Sequence, residues 1–225
     1  MYKVKGKPWA YSGAIDVSDC STAKEVMIKA NLNFEVAKCE LVGKMPIKLT
    51  GTDEELDRII KEQKNGAHVF GTDIYRKCDN AFATYRTDCN IPLGTVRNKY
   101  TIVQNNEAFN FFDDAIGKNS AIWQTAGFWG NGERIFVSAK LPNNFLVTGD
   151  TVENYLVFTN SHDGSSGVKI LFTPIRIVCE NTLTAAITTS SNFITFRHTK
   201  SVHSKINIAK EILGICKQKS EHINE

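Results

Sequence analysis

Residues from Arg134 to Leu141 alternate in two sets: Ile135, Val137, Ala139 and Leu141 on one side, Arg134, Phe136, Ser138 and Lys140 on the other. A period of two is the pattern of a strand with one buried face. Upstream, Ile122–Trp129 has the same extended composition. Asn131-Gly132 lies between the two runs and offers the positive φ angles of a tight turn, so the spacing predicts a hairpin. A second hairpin is expected between Asn154–Asn160 and Val168–Cys179, around the polar loop Ser161-His162-Asp163-Gly164-Ser165-Ser166-Gly167. Pro174 cannot donate a ladder hydrogen bond, so it marks an edge or a bulge. Beyond it Ile175, Ile177 and Cys179 share a side and Arg176 points the other way. Asn181 or Thr182 then caps a helix carrying Leu183, Ala185, Ala186 and Ile187.

Helical spacing appears elsewhere. Thr22 and Glu25 stand as a capping box before Ala23, Val26, Met27 and Ala30, and Asn31 closes that helix. Thr52 and Glu55 repeat the arrangement ahead of Leu56, Ile59 and Ile60, with Asn65-Gly66 as the stop. Between these helices Phe34, Val36, Leu41 and Val42 read as a strand, and Ile47 and Leu49 as the start of another. Phe82–Tyr85 and Leu93–Gln104 are extended. Asn105 is placed as an N-cap for a helix whose stripe of Ala108, Phe109, Phe112 and Ile116 belongs to the core. Val202, Ile206, Ala209, Ile212, Leu213 and Cys216 form one side of a last amphipathic helix, followed by a polar tail.

The connections between the central strands are too short for parallel crossovers, which take a dozen or more residues and usually a helix. The expected fold class is therefore α+β: a mainly antiparallel β-sheet built from hairpins, with flanking helices and a C-terminal amphipathic helix. At 225 residues the chain fits one domain over 1–199, with a helix and tail over 200–225 packed on it.

Composition narrows the class further. With 42% hydrophobic and 23% charged residues, the chain can bury a sizeable core. No apolar run approaches the roughly 18 residues of a membrane span, and no secretory signal follows the first lysines. Six scattered cysteines without a CxxC pair argue against a zinc knuckle or a disulfide framework. They read as reduced thiols, mostly core, and the protein as intracellular. A net charge of +3 does not by itself announce a polyanion partner. The C-terminal quarter is nevertheless basic, through Arg197, Lys200, Lys205, Lys210, Lys217 and Lys219, with either a phosphate-binding patch or a solvated helix face as the reading.

Several short motifs carry a resemblance. They are Pro8-Trp9, Leu93-Gly94, Tyr100-Thr101-Ile102-Val103-Gln104-Asn105, Thr125-Ala126-Gly127, Asn160-Ser161-His162-Asp163-Gly164-Ser165, the run from Thr173 through Arg176, Cys179, Asn181 and Thr182 to Leu183, and Arg197-His198-Thr199. Together, and in this order, they resemble the phage/plasmid-like proteins of the domain of unknown function DUF932. The resemblance implies carriage by phages, plasmids or integrative elements, a place in the cytoplasm of a bacterial host, and no established activity. Members of that family often continue with further helices after the Arg-His-Thr motif. A role housed in such an extension is in doubt for a chain that stops after one helix.

Three functional readings compete. In the first, the protein associates with single- or double-stranded DNA during replication, repair or recombination of a mobile element. Trp123, Trp129 and Phe136 would stack bases while Arg134, Lys140, Lys169 and Arg176 track phosphates, if their sheet face is open. Arg197, Lys200 and Lys205 would extend that surface. The bland alternative is that helices cover the face and the aromatics are core. In the second, Cys179 at a helix start is a nucleophile, with His162 or His198 as base and Asp163 or Asn181 orienting it. The bland alternative makes Cys179 a strand residue, His162-Asp163-Gly164 a turn, and Asn181 and Thr182 caps. His162, Asp163 and His198 lack recognised metal-ligand spacing, so neither metal nor cofactor is expected. In the third, the edge at Pro174 and the C-terminal helix mediate homo-oligomer formation or bind a host protein, as counter-defence modules do.

Overall fold

The computed structural model describes residues 13–46, 52–70, 73–116, 122–141, 154–190 and 193–211. In chain order the elements are β1 (Ala14–Asp16), α1 (Ala23–Lys29), β2 (Val36–Pro46), α2 (Asp53–Lys64), β3 (His68–Phe70), β4 (Asp73–Arg86) and β5 (Pro92–Arg97). There follow α3 (Asn105–Ile116), β6 (Ile122–Trp129), β7 (Arg134–Lys140), β8 (Tyr155–Ser161), β9 (Val168–Thr173), α4 (Glu180–Thr189) and β10 (Phe193–Phe196). A last helix, α5, spans 202–211. The fold is α+β with two antiparallel sheets. One has six strands in the order β1-β6-β7-β8-β9-β10. The other has four, with β4 joining β2, β3 and β5.

Both central hairpins are present. Trp129 pairs with Arg134 and Thr159 with Lys169. The first turn is built differently from the two-residue expectation. Positive φ falls at Gly130 and Gly132, not at Asn131, and Glu133 bonds back to the Asn131 backbone N–H. The second hairpin is shorter than expected. β9 stops at Thr173, and Pro174 terminates it instead of lying within a longer strand. That strand is no edge either, because β10 pairs with it from Phe193 to Phe196.

Several caps also depart from expectation. Thr22 accepts from the Glu25 N–H as foreseen, but Thr52 makes no side-chain cap bond. Cys179 is the N-cap of α4, one turn earlier than Thr182. The Thr182 Oγ1 instead accepts from the Val178 and Cys179 N–H groups, at 2.9 and 3.0 Å. Asn105 opens α3 but turns its amide inward. Expected Ile47/Leu49 strand residues, Pro8-Trp9, and Ile212, Leu213, Cys216, Lys217 and Lys219 lie outside the described residues.

The six-stranded sheet is covered on both faces, which the alternation in β7 did not reveal. Along that strand Ile135, Val137 and Ala139 face the cluster formed with α1, α3 and α5, and Phe136 faces the cluster under α4. All seven residues of β8 are buried. At roughly 1.5–3 kcal/mol for each large apolar side chain taken out of water, this doubly covered centre dominates the stability. Trp123 and Phe136 are core residues, at 1% and 0% exposure. The Phe109 and Phe112 stripe is buried against Trp123, with ring centroids 5.7 and 5.3 Å away. Val202, Ile206 and Ala209 bring α5 into the same cluster. The cysteines are less buried than expected: Cys39 and Cys89 are exposed, and Cys20, Cys78 and Cys179 are intermediate.

Candidate nucleic-acid interface

The loop from His162 to Gly167 is the place where the two sheets meet. His162 follows β8 on the α3 side of the sheet and is fully buried. Asn105 Nδ2 donates to the Leu32 and Phe34 carbonyls, both at 3.1 Å, so its Oδ1 is left to accept. The His162 Nε2, 2.8 Å away, is therefore the protonated nitrogen and donates to it. The other ring nitrogen is buried without a partner. Burial, with the nearby His198 adding to it, lowers the His162 pKa to about 4, so the ring is neutral. From the second sheet, Thr84 Oγ1 donates to the His162 carbonyl at 2.7 Å. Gly94 lies so close that a Cβ there would sit 2.5 Å from Asp163 Cα. Arg86 reinforces the joint, with its guanidinium 4.0 Å from the Phe34 ring centroid and a bond to the Asn131 carbonyl.

Beside this joint two chain segments are zipped together. After β5 the chain turns, with the Tyr100 N–H donating to the Arg97 carbonyl. The Tyr100 ring stacks on His198, centroids 4.4 Å apart, and its hydroxyl donates to the Ser161 carbonyl at 2.6 Å. Burial pushes the Tyr100 pKa upward, which keeps it a donor. His198 Nδ1 donates to the Thr101 carbonyl at 2.9 Å, and the Thr101 N–H returns a bond to the His198 carbonyl at 3.1 Å. Burial lowers the His198 pKa too, and its Nε2 has no partner.

This zipper sets Arg97 and Lys99 against Arg197 and Lys200. A cleft of about 870 Å³ runs along one side, bordered by Lys38, Lys99, Tyr100 and Lys200. A second, of about 510 Å³, continues past Lys99 and Tyr100 to Arg97, Arg197 and the Gly164–Gly167 backbone. Neither cleft has an Asp or Glu among its described lining residues. Lys38 spends its ammonium on the Tyr100 carbonyl at 2.8 Å, whereas Arg97, Lys99, Arg197 and Lys200 are exposed.

The sequence-derived candidates divide between this groove and other places. Arg197 and Lys200 line it, and Lys205 is exposed on α5. Arg134 and Lys169 lie together in a separate cleft under α4 with Trp129 and Asp163. Lys140 shares the α4 side with Arg134 but pairs with Tyr155 while Arg134 pairs with Ser161, six positions along β7 and roughly 20 Å away. Arg176 sits at the far edge, 3.6 Å from the Asp16 carboxylate on β1. So Arg134, Lys140 and Arg176 do not share one open groove, because α4 covers the middle of that sheet face. Lys38, Arg97 and Lys99 were not singled out from sequence. The only signal was the Arg97-Asn98-Lys99 triplet, which sits where no periodicity draws the eye.

The structure does not assemble Cys179 with a histidine. Backbone hydrogen bonds from Thr182 lower the Cys179 pKa. The thiol, however, opens α4 on one sheet face while His162 is held to Asn105 on the other, and His198 is committed to Thr101. Asp163 is engaged by Ser161 and Ser165: burial works to raise its pKa, but those hydrogen bonds outweigh it and hold the carboxyl below the usual range. Asn181 is an exposed residue of the first turn of α4. Among the described residues no three His, Cys, Asp or Glu side chains group as metal ligands. No helix among them is long and apolar enough to cross a membrane.

The fold and its cationic groove define an α+β protein in which a six-stranded sheet carries a smaller ribbon-like sheet. The chain belongs to the family described as Domain of unknown function (DUF932), whose profile matches residues 92–225. That span holds five of the six strands of the central sheet (all but β1), the zipper and every exposed cation of the groove. No curated protein and no solved structure matches the chain.

Proposed function

We propose that the protein associates with nucleic acid through the groove bordered by Arg97, Lys99, Arg197 and Lys200. One observation carries this reading: two adjoining clefts, joined at Lys99, Tyr100 and Thr199, collect cations from three separate stretches of chain and no carboxylate among the described lining residues. A chain with a net charge of only +3 has no composition-driven reason to cluster them so. A phosphate backbone fits such a groove. Resemblance to phage and plasmid proteins supplies the setting, the replication, repair or recombination of a mobile element. Labelled single- and double-stranded DNA titrated across a salt series tests it. Up to four phosphate contacts would give a log–log salt slope of about −3 for single strands and nearer −4 for duplex. Arg97→Glu with Lys200→Glu should weaken binding and flatten that slope by about one for each contact removed. Absent or salt-insensitive binding would overturn the reading.

A second reading, a protein-interaction module, has its own support. Val42 and Met45 on β2, Leu56 and Ile60 on α2, and Phe70 on β3 are exposed, Phe70 at 79%. Light scattering across a concentration series tests self-association, and a strictly monomeric protein at every concentration counts against it.

A further inference from the structure

The cleft under α4 is distinct from the groove but shares a wall with it. Ser165 and Ser166 line both the second groove cleft and this cavity of about 430 Å³. Its floor is the α4-facing side of three adjacent strands, which presents Arg134 from β7, hydroxyls from β8 and Lys169 from β9. Its roof is Leu183 and Ile187 of α4, and Trp129, stacked on Phe136 at 4.6 Å, closes one end.

We propose that this cavity binds a single nucleotide unit, a nucleoside monophosphate or the unstacked end of a strand. Lys169 and Arg134 suit a phosphate dianion, and serine and threonine hydroxyls can donate to its oxygens. Arg134 is engaged by Glu180 at 2.7 Å, but both side chains are 47% exposed, so solvent screening leaves that pair exchangeable. The apolar wall of Trp129, Leu183 and Ile187 suits a base, as stacking platforms for single strands do. Asp163, held on one oxygen by Ser161 and Ser165, keeps the other as an acceptor for a sugar hydroxyl or an exocyclic amine. The strand-end form of the idea rests on the groove reading above; the mononucleotide form does not.

The test is calorimetric titration of the full chain with adenosine monophosphate, guanosine monophosphate, adenosine and inorganic phosphate. At least one nucleotide should bind about tenfold or more tightly than either adenosine or phosphate, since only the nucleotide engages both walls. Lys169→Glu should weaken it by about tenfold or more, the cost of a charge-assisted contact. Thr188→Trp, a change at an exposed α4 position bordering the cavity, should block binding without touching the floor. Both variants must keep the wild-type melting temperature, and if one does not, the other decides. Absence of mononucleotide binding, equal affinity for phosphate alone, or indifference to the folded variant overturns the proposal. Strand binding with its full salt slope in these same variants would overturn the strand-end form and leave the groove standing.

Discussion

Replacing His162 with glutamine keeps a side-chain N–H able to reach Asn105 and removes a titrating ring from the joint between the sheets. Burial depresses the His162 pKa from 6.5 to about 4. The proton-bearing form is the charged one, so the unfolded chain takes up a proton near pH 6.5 and the folded chain does so only near pH 4. Stability from the neutral ring is thus present above pH 6.5 and is lost as pH falls toward 4. The two pKa values put the loss between pH 7 and pH 5 at about 2 kcal/mol, rising to about 3 kcal/mol once titration is complete. In a chain of this size about 2 kcal/mol is roughly 4–8 °C in Tm. Urea unfolding of wild type and His162→Gln at the two pH values isolates the effect, because His198 and the carboxylates titrate in both proteins. Wild type should lose about 2 kcal/mol more than the variant. Equal losses would refute the reasoning, since they would mean that the ring is either solvated or already charged when folded.

Two further perturbations probe neighbouring features. Gly94→Ala places a Cβ against the Asp163 backbone, and overpacking of that kind costs about 1–3 kcal/mol; calorimetry should show a Tm lower by several degrees, and an unchanged Tm would contradict the close approach. In native-state alkylation mapped by mass spectrometry, Cys179 should react faster than Cys20, because hydrogen bonds from Thr182 lower the pKa of the first and burial raises that of the second. The reverse order would be evidence against the N-cap geometry.

Local chemistry was readable in the chain, and relations between distant segments were not. Gly132 and the flanking runs announced the first central hairpin because turn and strand signals are contiguous. β1 and β10, three and four residues long, were missed because each is a strand only by virtue of the neighbour it pairs with. Alternation in β7 showed Ile135 and Val137 as core but misjudged the opposite side, where Phe136 and Ser138 are equally buried beneath α4. Asn105 has the residue type of a cap, yet three buried partners outcompete the helix terminus for its amide. Gln104 illustrates the same rule: its side chain bonds both backbone groups of Val36 as a strand neighbour would. For the candidate site, Arg197 and Lys200 could be flagged from local charge. Arg97 and Lys99 become their neighbours only through the Thr101–His198 exchange, which pairs residues 97 positions apart.

Helix α2 contributes no side chain to the interior and is tied down by its contact with β3 and an ion pair from Glu62 to Arg76. Its melting therefore costs the main fold little apolar burial, that of the half-buried Ile59, and amide exchange along it can proceed by local opening while the central strands stay protected. The segment also precedes the residues matched by the family profile. It has the physical character of an interchangeable appendage: related chains could replace, lengthen or discard it and keep the scaffold beneath intact.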